Sequence, residues 1–195
     1  MSTITPGAMA ALVLLLAGPA QEPAPSPTAS QPPAPAATPS PDAVEVLLSP
    51  ERMKERERNV LLTVSTVVLG QRTYASSNGS FFDEIACLTN PASCIPGFAA
   101  DGAPFLDPTY SWLEPRLGYV RKFHPGPRAD PAAIAKAKAS PTSLRAFAFT
   151  ATPVKPGVTG GRAFCGDSSG RMCMTADGRE PPVKDGRCEP CQRLQ

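Results

Sequence analysis

The sequence predicts an α+β fold in which one long helix lies across a small antiparallel sheet. Between residues 50 and 76, apolar residues recur every three or four positions, which is the period of an amphipathic helix. After residue 118, short runs that alternate apolar and polar residues are separated by turns rich in glycine and proline. A single long helix followed by a meander of short strands is typical of this fold class.

Composition divides the chain into three parts: an export signal at 1–20, a spacer at 21–48 and a folded domain at 49–195. The apolar run at 8–17 and the small residues Gly18-Pro19-Ala20 predict cleavage after Ala20. This run is shorter than the roughly 20 residues that cross a bilayer, so we expect membrane contact only if it stays uncleaved. Eight prolines lie in the spacer, and its low apolar content predicts a disordered, extended linker.

The long helix is predicted to begin at Ser49-Pro50-Glu51, where a capping serine, a proline at the first position and an acid in the first turn coincide. It is expected to end near Ser76. Its apolar stripe begins only after Arg58, which predicts that the first two turns project from the domain. The stripe consists of Val60, Leu61, Val64, Val67, Val68, Gln71 and Ala75.

A short second helix is predicted from the capping residue Ser80 to Leu88, after the turn Asn78-Gly79. The following segment, 89–115, has no periodicity and is predicted to be a long loop. Its aromatic residues Tyr110 and Trp112 are expected either to pack the loop onto the domain or to bind a partner.

Strands are predicted at 118–123 and 144–151, and on both sides of 167–170. Residues 130–139, which begin with Asp130-Pro131 and are rich in alanine, predict a short surface helix or a mobile insertion. His124, in a proline- and glycine-rich context, is expected to lie in a surface loop.

The charge balance excludes a nucleic-acid footprint, because 19 basic and 17 acidic residues give a net charge of only +2. Gly166-Asp167-Ser168-Ser169-Gly170 is similar to the nucleophile motif of serine proteases, but His124 is the only histidine and its context does not fit a catalytic base. The same residues are typical of a tight turn. We therefore predict no enzymatic activity and no small-molecule substrate.

Six cysteines favour an oxidising compartment. A three-residue loop, Ser168-Ser169-Gly170, would place Cys165 opposite Cys173, and a disulfide between them is predicted if they form a non-hydrogen-bonded pair. Cys87–Cys94 is the second predicted disulfide. Cys188 and Cys191 remain, and three alternatives are open: a local disulfide, a redox pair or half of a zinc site.

Three loop carboxylates could contribute to a calcium site, since oxygen ligands from loops suit this ion. Nothing in the spacing of Asp167, Asp177 and Asp185 requires calcium. Solvated turn carboxylates explain these residues equally well, and no cofactor is predicted.

The order of several short motifs resembles the head domain of type IV pilins and of the pseudopilins of type II secretion. These motifs are the helix exit at 71–76, Gly118-Tyr119, the strand at 149–153, the segment 157–160 and the hairpin at 167–170. The resemblance covers roughly residues 58–175. It implies an exported structural protein whose partners are secretion or pilus components.

The N-terminus departs from that family, in which a cleaved glycine is followed by a long apolar helix with a glutamate at its fifth position. Here Gly7 is followed by Ala8-Met9 and no such glutamate follows. The expected protein is therefore a non-catalytic, pilin-like head carried on a spacer, periplasmic or extracellular, that acts by contact. The alternatives are a binding module unrelated to pili that uses Tyr110 and Trp112, and a small zinc-binding protein that uses the C-terminal cysteines.

Overall fold

The computed structural model describes residues 49–110, 113 and 115–194, so the predicted export signal and spacer lie outside the described residues. The α+β class is confirmed: the described residues combine helices with an antiparallel sheet. The helices are α1 (Pro50–Ser77), α2 (Ile85–Thr89) and α3 (Pro131–Ala137), with 3-10 helical turns at Pro91–Ser93 and Pro108–Tyr110. The strands are β1 (Tyr119–Pro125), β2 (Phe147–Pro153), β3 (Ala163–Asp167), β4 (Met172–Thr175), β5 (Val183–Lys184), β6 (Arg187–Cys188) and β7 (Gln192–Arg193).

The main sheet has the order β1-β2-β3-β4-β7, and every neighbouring pair is antiparallel. Strands β1 to β4 follow chain order and form a meander, whereas β7 returns from the C-terminal segment to pair with β4. β5 and β6 form a separate two-stranded ribbon. The three short C-terminal strands were not predicted, because two residues of extended chain leave no alternation to detect.

Helix α1 begins as the sequence indicates: the Ser49 hydroxyl accepts the N–H of Arg52 at 3.4 Å, and Pro50 occupies the first turn. Its buried residues include the predicted Val60, Val64, Val67, Val68, Gln71 and Ala75, together with Glu57 and Tyr74. Leu61 is partly buried against the same core. The prediction that the first two turns project from the domain is wrong for the second turn, since Glu57 is only 5% exposed.

The front face of the sheet, defined here as the face that α1 covers, carries the main core. Val60, Val64 and Val67 of α1 pack with Phe149 of β2 and Phe164 of β3. The helix can approach closely because Gly166 has no side chain: a Cβ there would lie 2.8 Å from Val68 and 2.9 Å from Val64. The helix and sheet therefore share a closely packed interface of branched and aromatic side chains.

The back face is covered by residues 176–191, which we call the C-terminal strap. A small cluster of Ala148, Cys165, Cys173 and Cys188 lies beneath the strap, with Val183 and Cys191 at its edge. This cluster is much smaller than the front core. The strap is also held by two disulfides, Cys165–Cys188 and Cys173–Cys191.

The predicted second helix is shorter than expected. Ser80 does not cap it but lies in a turn with φ +71°, and α2 begins after Glu84. The side chain of Gln71 occupies this region, because its amide pairs with both backbone groups of Asp83. The Tyr74 hydroxyl donates to the Asp83 carboxylate at 3.0 Å. These tertiary contacts keep residues 82–84 out of a helix, which a local capping pattern does not reveal.

Residues 131–137 form the predicted surface helix, α3. The Asp130 carboxylate accepts the N–H groups of Ala132 and Ala133 at its N-terminus. Its connection to α1 is polar: the Asn78 amide donates to the Ser143 hydroxyl at 3.0 Å, and its carbonyl accepts the Ser140 N–H at 2.7 Å. Asn78, Ser140 and Ser143 are fully buried, so each of these bonds replaces water.

Candidate functional site

The predicted hairpin register is confirmed, but the disulfide built on it is wrong. Cys165 does face Cys173. The Asp167 N–H donates to the Arg171 carbonyl, and since pair types alternate along antiparallel strands, Cys165 and Cys173 form a hydrogen-bonded pair. In such pairs the Cβ atoms lie farther apart than a disulfide allows. Each cysteine instead bonds to the strap.

The other cysteine predictions have different outcomes. Cys87–Cys94 is confirmed, with Cα atoms 5.6 Å apart. A local Cys188–Cys191 bond is wrong, because Cys188 bonds to Cys165 and Cys191 to Cys173. The zinc and redox-pair alternatives at Cys188 and Cys191 do not fit either, since both sulfurs are already committed to other partners.

The protease-like motif forms a structural turn. One oxygen of the Asp167 carboxylate accepts the N–H of Ser169 at 2.9 Å and its hydroxyl, and the other accepts the N–H of Cys188 at 2.9 Å. Asp167 is 1% exposed. The carboxylate therefore fixes both the hairpin loop and the strap, and His124 lies elsewhere, on β1.

His124 is not in a surface loop as expected. It lies in β1 on the back face, where its Nε2 contacts the Thr150 hydroxyl at 2.9 Å and the Glu180 carboxylate of the strap at 3.4 Å. Lys122 lies 3.5 Å from the same carboxylate. Burial, followed by the charge of Lys122, lowers the pKa of His124, and Glu180 opposes this shift. These contacts with Glu180 attach the strap to β1, the edge strand of the main sheet.

The loop carboxylates considered for calcium are not brought together. Asp167 is used within the hairpin, and Asp177 accepts the Arg179 N–H and pairs with its guanidinium at 3.5 Å. Within 49–110, 113 and 115–194, no group of three or more histidine, cysteine or acidic residues is arranged to hold a metal ion.

Tyr110 lines a cleft between α1, the loop and β1, whereas Trp112 lies outside the described residues. The cleft has a volume of about 290 Å³. Its walls are formed by Asn59, Val60, Thr63, Thr109, Tyr110, Arg116, Leu117, Tyr119 and Arg121. We call it the arginine cleft, since two of the described residues that line it are arginines.

A tight turn places the cleft residues at the start of β1. The backbone groups of Arg116 and Tyr119 bond to each other in both directions at 3.0 Å. The two residues between them have positive φ, +55° at Leu117 and +74° at Gly118. This conformation matches a two-residue type I′ hairpin turn, in which glycine avoids the steric cost. The turn holds Arg116 and Leu117 at the rim.

The two arginines differ in their surroundings. Arg121 is 6% exposed at the base of the cleft, and its pKa is lowered by burial and next by the charge of Arg116. Arg116 is exposed. Among the described residues, the Arg116 guanidinium, the Asn59 amide and the Tyr110 hydroxyl make no hydrogen bond to one another or to other groups. The arginine cleft therefore presents several unused donors close to apolar walls.

Arg116, Arg121 and Asn59 were not predicted to be cleft residues. One signal was available: in the predicted strand, Tyr119, Arg121 and Phe123 alternate with Val120 and Lys122, which places a basic residue on the aromatic face. That Arg121 is buried there follows only from the packing of α1 and the loop around it.

A second surface feature lies along α1. Leu62 and Leu69 are 58% and 65% exposed, and Thr66 and Thr73 share their side of the helix at spacings of three and four. The hydroxyls of Thr66 and Thr73 donate to the helix carbonyls of Leu62 and Leu69 at 2.9 and 3.1 Å. We call Leu62, Thr66, Leu69 and Thr73 the α1 outer stripe. With its hydroxyls bonded to the backbone, it presents chiefly methyl groups.

Comparison with known proteins yields no match: no protein-family model, curated protein or solved structure is detectably similar to the chain. Of the helices in the described part of the chain, none combines the length and the apolar character that crossing a bilayer requires. The three disulfides indicate an oxidising environment, periplasmic or extracellular.

Proposed function

We propose that this chain is an exported, non-catalytic structural or interaction protein of pilin-like build, which acts through contacts with other proteins. The observation that carries the proposal is the α1 outer stripe on a long helix whose opposite side is fixed to the sheet. No charged residue occurs between Asn59 and Gln71. An exposed helix surface in a monomer usually carries charges, so this one is suited to packing against another chain.

The anchoring of α1 supports this proposal, because a helix that transmits contacts has to be rigidly attached. Near its N-terminal end, the buried Glu57 carboxylate binds the Arg162 guanidinium at 2.6 Å and accepts the N–H groups of Gly161 and Arg162 at 2.8 and 3.1 Å. Near its other end, Gln71 and Tyr74 hold Asp83. Polar contacts at both ends therefore fix the orientation of the helix on the sheet, and the valines fill the space between them.

The hydrogen bonds that the buried polar side chains make also favour a role in protein contacts over a catalytic role. Asp167 is fully engaged with backbone N–H groups of the hairpin and the strap, and Asp83 with Tyr74 and Glu84. His124 bridges Thr150 and Glu180. Each group has a structural task. His124 faces both the Thr150 hydroxyl and Glu180 with the same Nε2 atom, so Glu180 does not orient the ring through its other nitrogen in the manner that acyl transfer requires.

Export accords with the disulfides and with the predicted signal at 1–20. The partners that we propose are components of a secretion or pilus system, and the proposed place of action is the periplasm or the cell exterior. The predicted spacer at 21–48 would allow the domain to reach a partner at a distance from the membrane.

Site-specific photocrosslinking in the producing cell tests this function. A photoreactive phenylalanine analogue would replace Leu62 or Leu69, and Lys184 on the opposite side of the domain would serve as the control position. We expect adducts with an exported protein, or with another copy of the chain, from positions 62 and 69. Retention of the full chain in the cytoplasm, or equal adducts from all three positions, would contradict the proposal.

A binding module unrelated to pili is the second candidate, and the arginine cleft favours it. In that case Tyr110 and Arg116 would carry recognition and the α1 outer stripe would be irrelevant. A double substitution, Leu62→Ser with Leu69→Ser, separates the candidates: it should abolish partner capture under the first and leave it unchanged under the second.

A further inference from the structure

We infer that Cys191 is the point at which a dithiol reductant opens the C-terminal strap, and that one reduction there releases both disulfides that hold the strap. The freed Cys191 thiolate then displaces Cys165 from Cys188 and forms a Cys188–Cys191 bond that the oxidised protein does not contain. The inference concerns the back face of the sheet, so it does not depend on the pilin-like proposal or on the α1 outer stripe.

The two strap disulfides are neighbours in space. Cys165 of β3 and Cys173 of β4 are register partners, and each bonds to a different strap cysteine, Cys188 and Cys191 respectively. All four cysteines pack in the single cluster on the back face. Because disulfide exchange requires a thiolate to reach a disulfide sulfur, a thiolate released from one of these bonds is already placed near the other.

The four cysteines differ in their access to solvent. Cys165 and Cys173 are fully buried and Cys188 is 3% exposed, whereas Cys191 is only partly buried at the edge of the cluster. Reactivity toward an external thiol follows exposure of the sulfur. A dithiol reductant therefore attacks the Cys173–Cys191 bond first, and it does so at Cys191.

The spacing of the strap cysteines supplies the second step. Cys188 and Cys191 are the ends of the segment Cys188-Glu189-Pro190-Cys191, so a bond between them closes a short loop, whereas Cys165 and Cys188 are 23 residues apart. A short loop costs less entropy to close. Cys165 and Cys173 are poor partners for each other, since they form a hydrogen-bonded pair. The freed Cys191 thiolate therefore attacks Cys188.

The exchange balances with a single dithiol. One thiolate of the reductant attacks the Cys191 sulfur, and Cys173 leaves as a thiolate. The second thiolate of the reductant closes its own disulfide and releases Cys191. The Cys191 thiolate then forms a bond to the Cys188 sulfur while Cys165 leaves. The reductant is oxidised, its two protons end on Cys165 and Cys173, and two protein disulfides become one disulfide and two thiols.

The non-covalent contacts of the strap are modest. Its backbone is held at Cys188 by the Asp167 carboxylate at 2.9 Å, and Glu180 contacts β1 from a side chain that is 44% exposed. Beyond the strap, β7 pairs with β4 over two residues. Such contacts and the small cluster do not offset the ordering entropy of a 16-residue segment. The strap therefore leaves the back face once both disulfides are gone.

Limited reduction of the full, oxidised protein tests the inference. The protein is treated with a single molar equivalent of dithiothreitol and quenched with acid, and alkylation with mass spectrometry locates its thiols and disulfides. In the strap we expect thiols at Cys165 and Cys173 and a bond between Cys188 and Cys191. Thiols at Cys173 and Cys191 with the other bond intact would overturn the relay. Thiols at Cys165 and Cys188, or strap bonds that persist in excess reagent, would overturn the point of entry.

The Cys87–Cys94 disulfide is an internal reference for this experiment. Cys94 is also partly buried, but it packs against the front core and not against the back cluster. Its reduction should therefore leave both strap disulfides in place. Rearrangement of the strap in molecules in which only Cys87–Cys94 has been reduced would contradict a specific role for Cys191.

Two matched variants test the second step without a reductant. Cys173→Ala leaves Cys191 as a free thiol, so we expect the purified variant to contain a Cys188–Cys191 bond and a thiol at Cys165. Cys191→Ala removes the other sulfur of the same disulfide and leaves Cys173 free, and here the Cys165–Cys188 bond should persist. Retention of Cys165–Cys188 in both variants would overturn the relay.

The double variant Cys173→Ala with Cys191→Ala tests direct attack on the buried bond. Because no neighbouring thiol remains, dithiothreitol should reduce Cys165–Cys188 about tenfold or more slowly than in the unmodified protein. Equal rates would show that the reductant reaches this bond unaided. Hydrogen exchange after limited reduction of the unmodified protein tests the release itself: it should increase in the strap and stay unchanged in α1, and an unchanged strap would contradict release.

Discussion

The two faces of the sheet are covered by different physical means. The front face packs against α1 through valines, Phe149 and Phe164, and its core is large and hydrophobic. The back face is covered by the C-terminal strap, which buries only a small cluster and is fixed by two disulfides and by Asp167. A strap with little apolar surface cannot offset its ordering entropy by burial alone, so covalent bonds and polar contacts hold it.

This comparison predicts that the largest losses arise on the front face. Phe149→Ala should lower the free energy of unfolding by about 4 kcal/mol, because it removes a fully buried ring and leaves a cavity against α1. Denaturant unfolding would measure it, with Val120→Ala, at a 43% exposed position, as the control. A loss below about 1 kcal/mol for Phe149→Ala would show that the front core is not the main source of stability.

Removing the Cys165–Cys188 disulfide of the strap should have the next largest effect on the free energy of unfolding. Replacing Cys165 and Cys188 together with alanine opens a loop whose ends are 23 residues apart and should cost about 3 kcal/mol. Hydrogen exchange should then increase in the strap before it increases in α1. The matched control replaces Cys87 and Cys94, which are only 7 residues apart, and should leave exchange in the strap unchanged.

Asp167→Asn should cost about 2 kcal/mol, since a single amide oxygen cannot accept from both Ser169 and Cys188. Chemical denaturation provides the measurement. Asp177→Asn is the control, because Asp177 lies in an exposed turn and should change stability by less than about 0.5 kcal/mol. Equal effects of the two substitutions would contradict a shared anchor at Asp167.

The smallest expected effect is a pH dependence of the free energy of unfolding, which arises where His124 contacts the strap. The pKa of His124 is lowered from its ordinary value of 6.5 by burial and by Lys122, so the unfolded chain binds the proton more readily than the folded one. Stability should therefore fall as the pH drops through 6.5 and level off below the folded-state pKa. Equilibrium unfolding at a series of pH values measures this slope.

The control for this prediction is His124→Gln, which should abolish the slope, since the chain has a single histidine. Glu84 does not confuse the result. Burial, and then the charge of Asp83, raises the pKa of Glu84 above 4.5. The contribution of Glu84 to the free energy of unfolding therefore falls as the pH rises, which is the opposite sign to that of His124, and it does so at lower pH. An unchanged slope in His124→Gln would assign the effect to another group.

Local sequence patterns correctly predicted the elements whose conformation depends on neighbouring residues in the chain. The cap at Ser49, the valine spacing of α1 and the hairpin at Ser168–Gly170 are all present at the predicted positions. The false cap at Ser80 and the missed burial of Glu57 share a cause. In both cases the cause is a residue outside the local segment. Gln71 binds the backbone of Asp83 and so decides the conformation after Ser80, and Arg162 supplies the partner that allows Glu57 to be buried.

The site could be predicted only in part. Tyr110 was singled out for its aromatic character, and it does line a cleft. Arg116 and Arg121 were not, because basic residues in a strand context are usually solvated, and the alternation that places Arg121 on the aromatic face does not reveal which segments cover it. The cleft exists because α1, the loop and β1 meet there, which involves segments more than 40 residues apart.

The sequence by itself determined the α+β class, the helix with its buried side, the hairpin register and the need for an oxidising environment. These follow from periodicity, turn chemistry and cysteine number, which act over a few residues or through composition. The tertiary structure alone decided which cysteines pair and where the arginines converge. Both depend on the path of the strap and the loop across the domain, because sulfur and guanidinium groups respond to distance in space and not to separation along the chain.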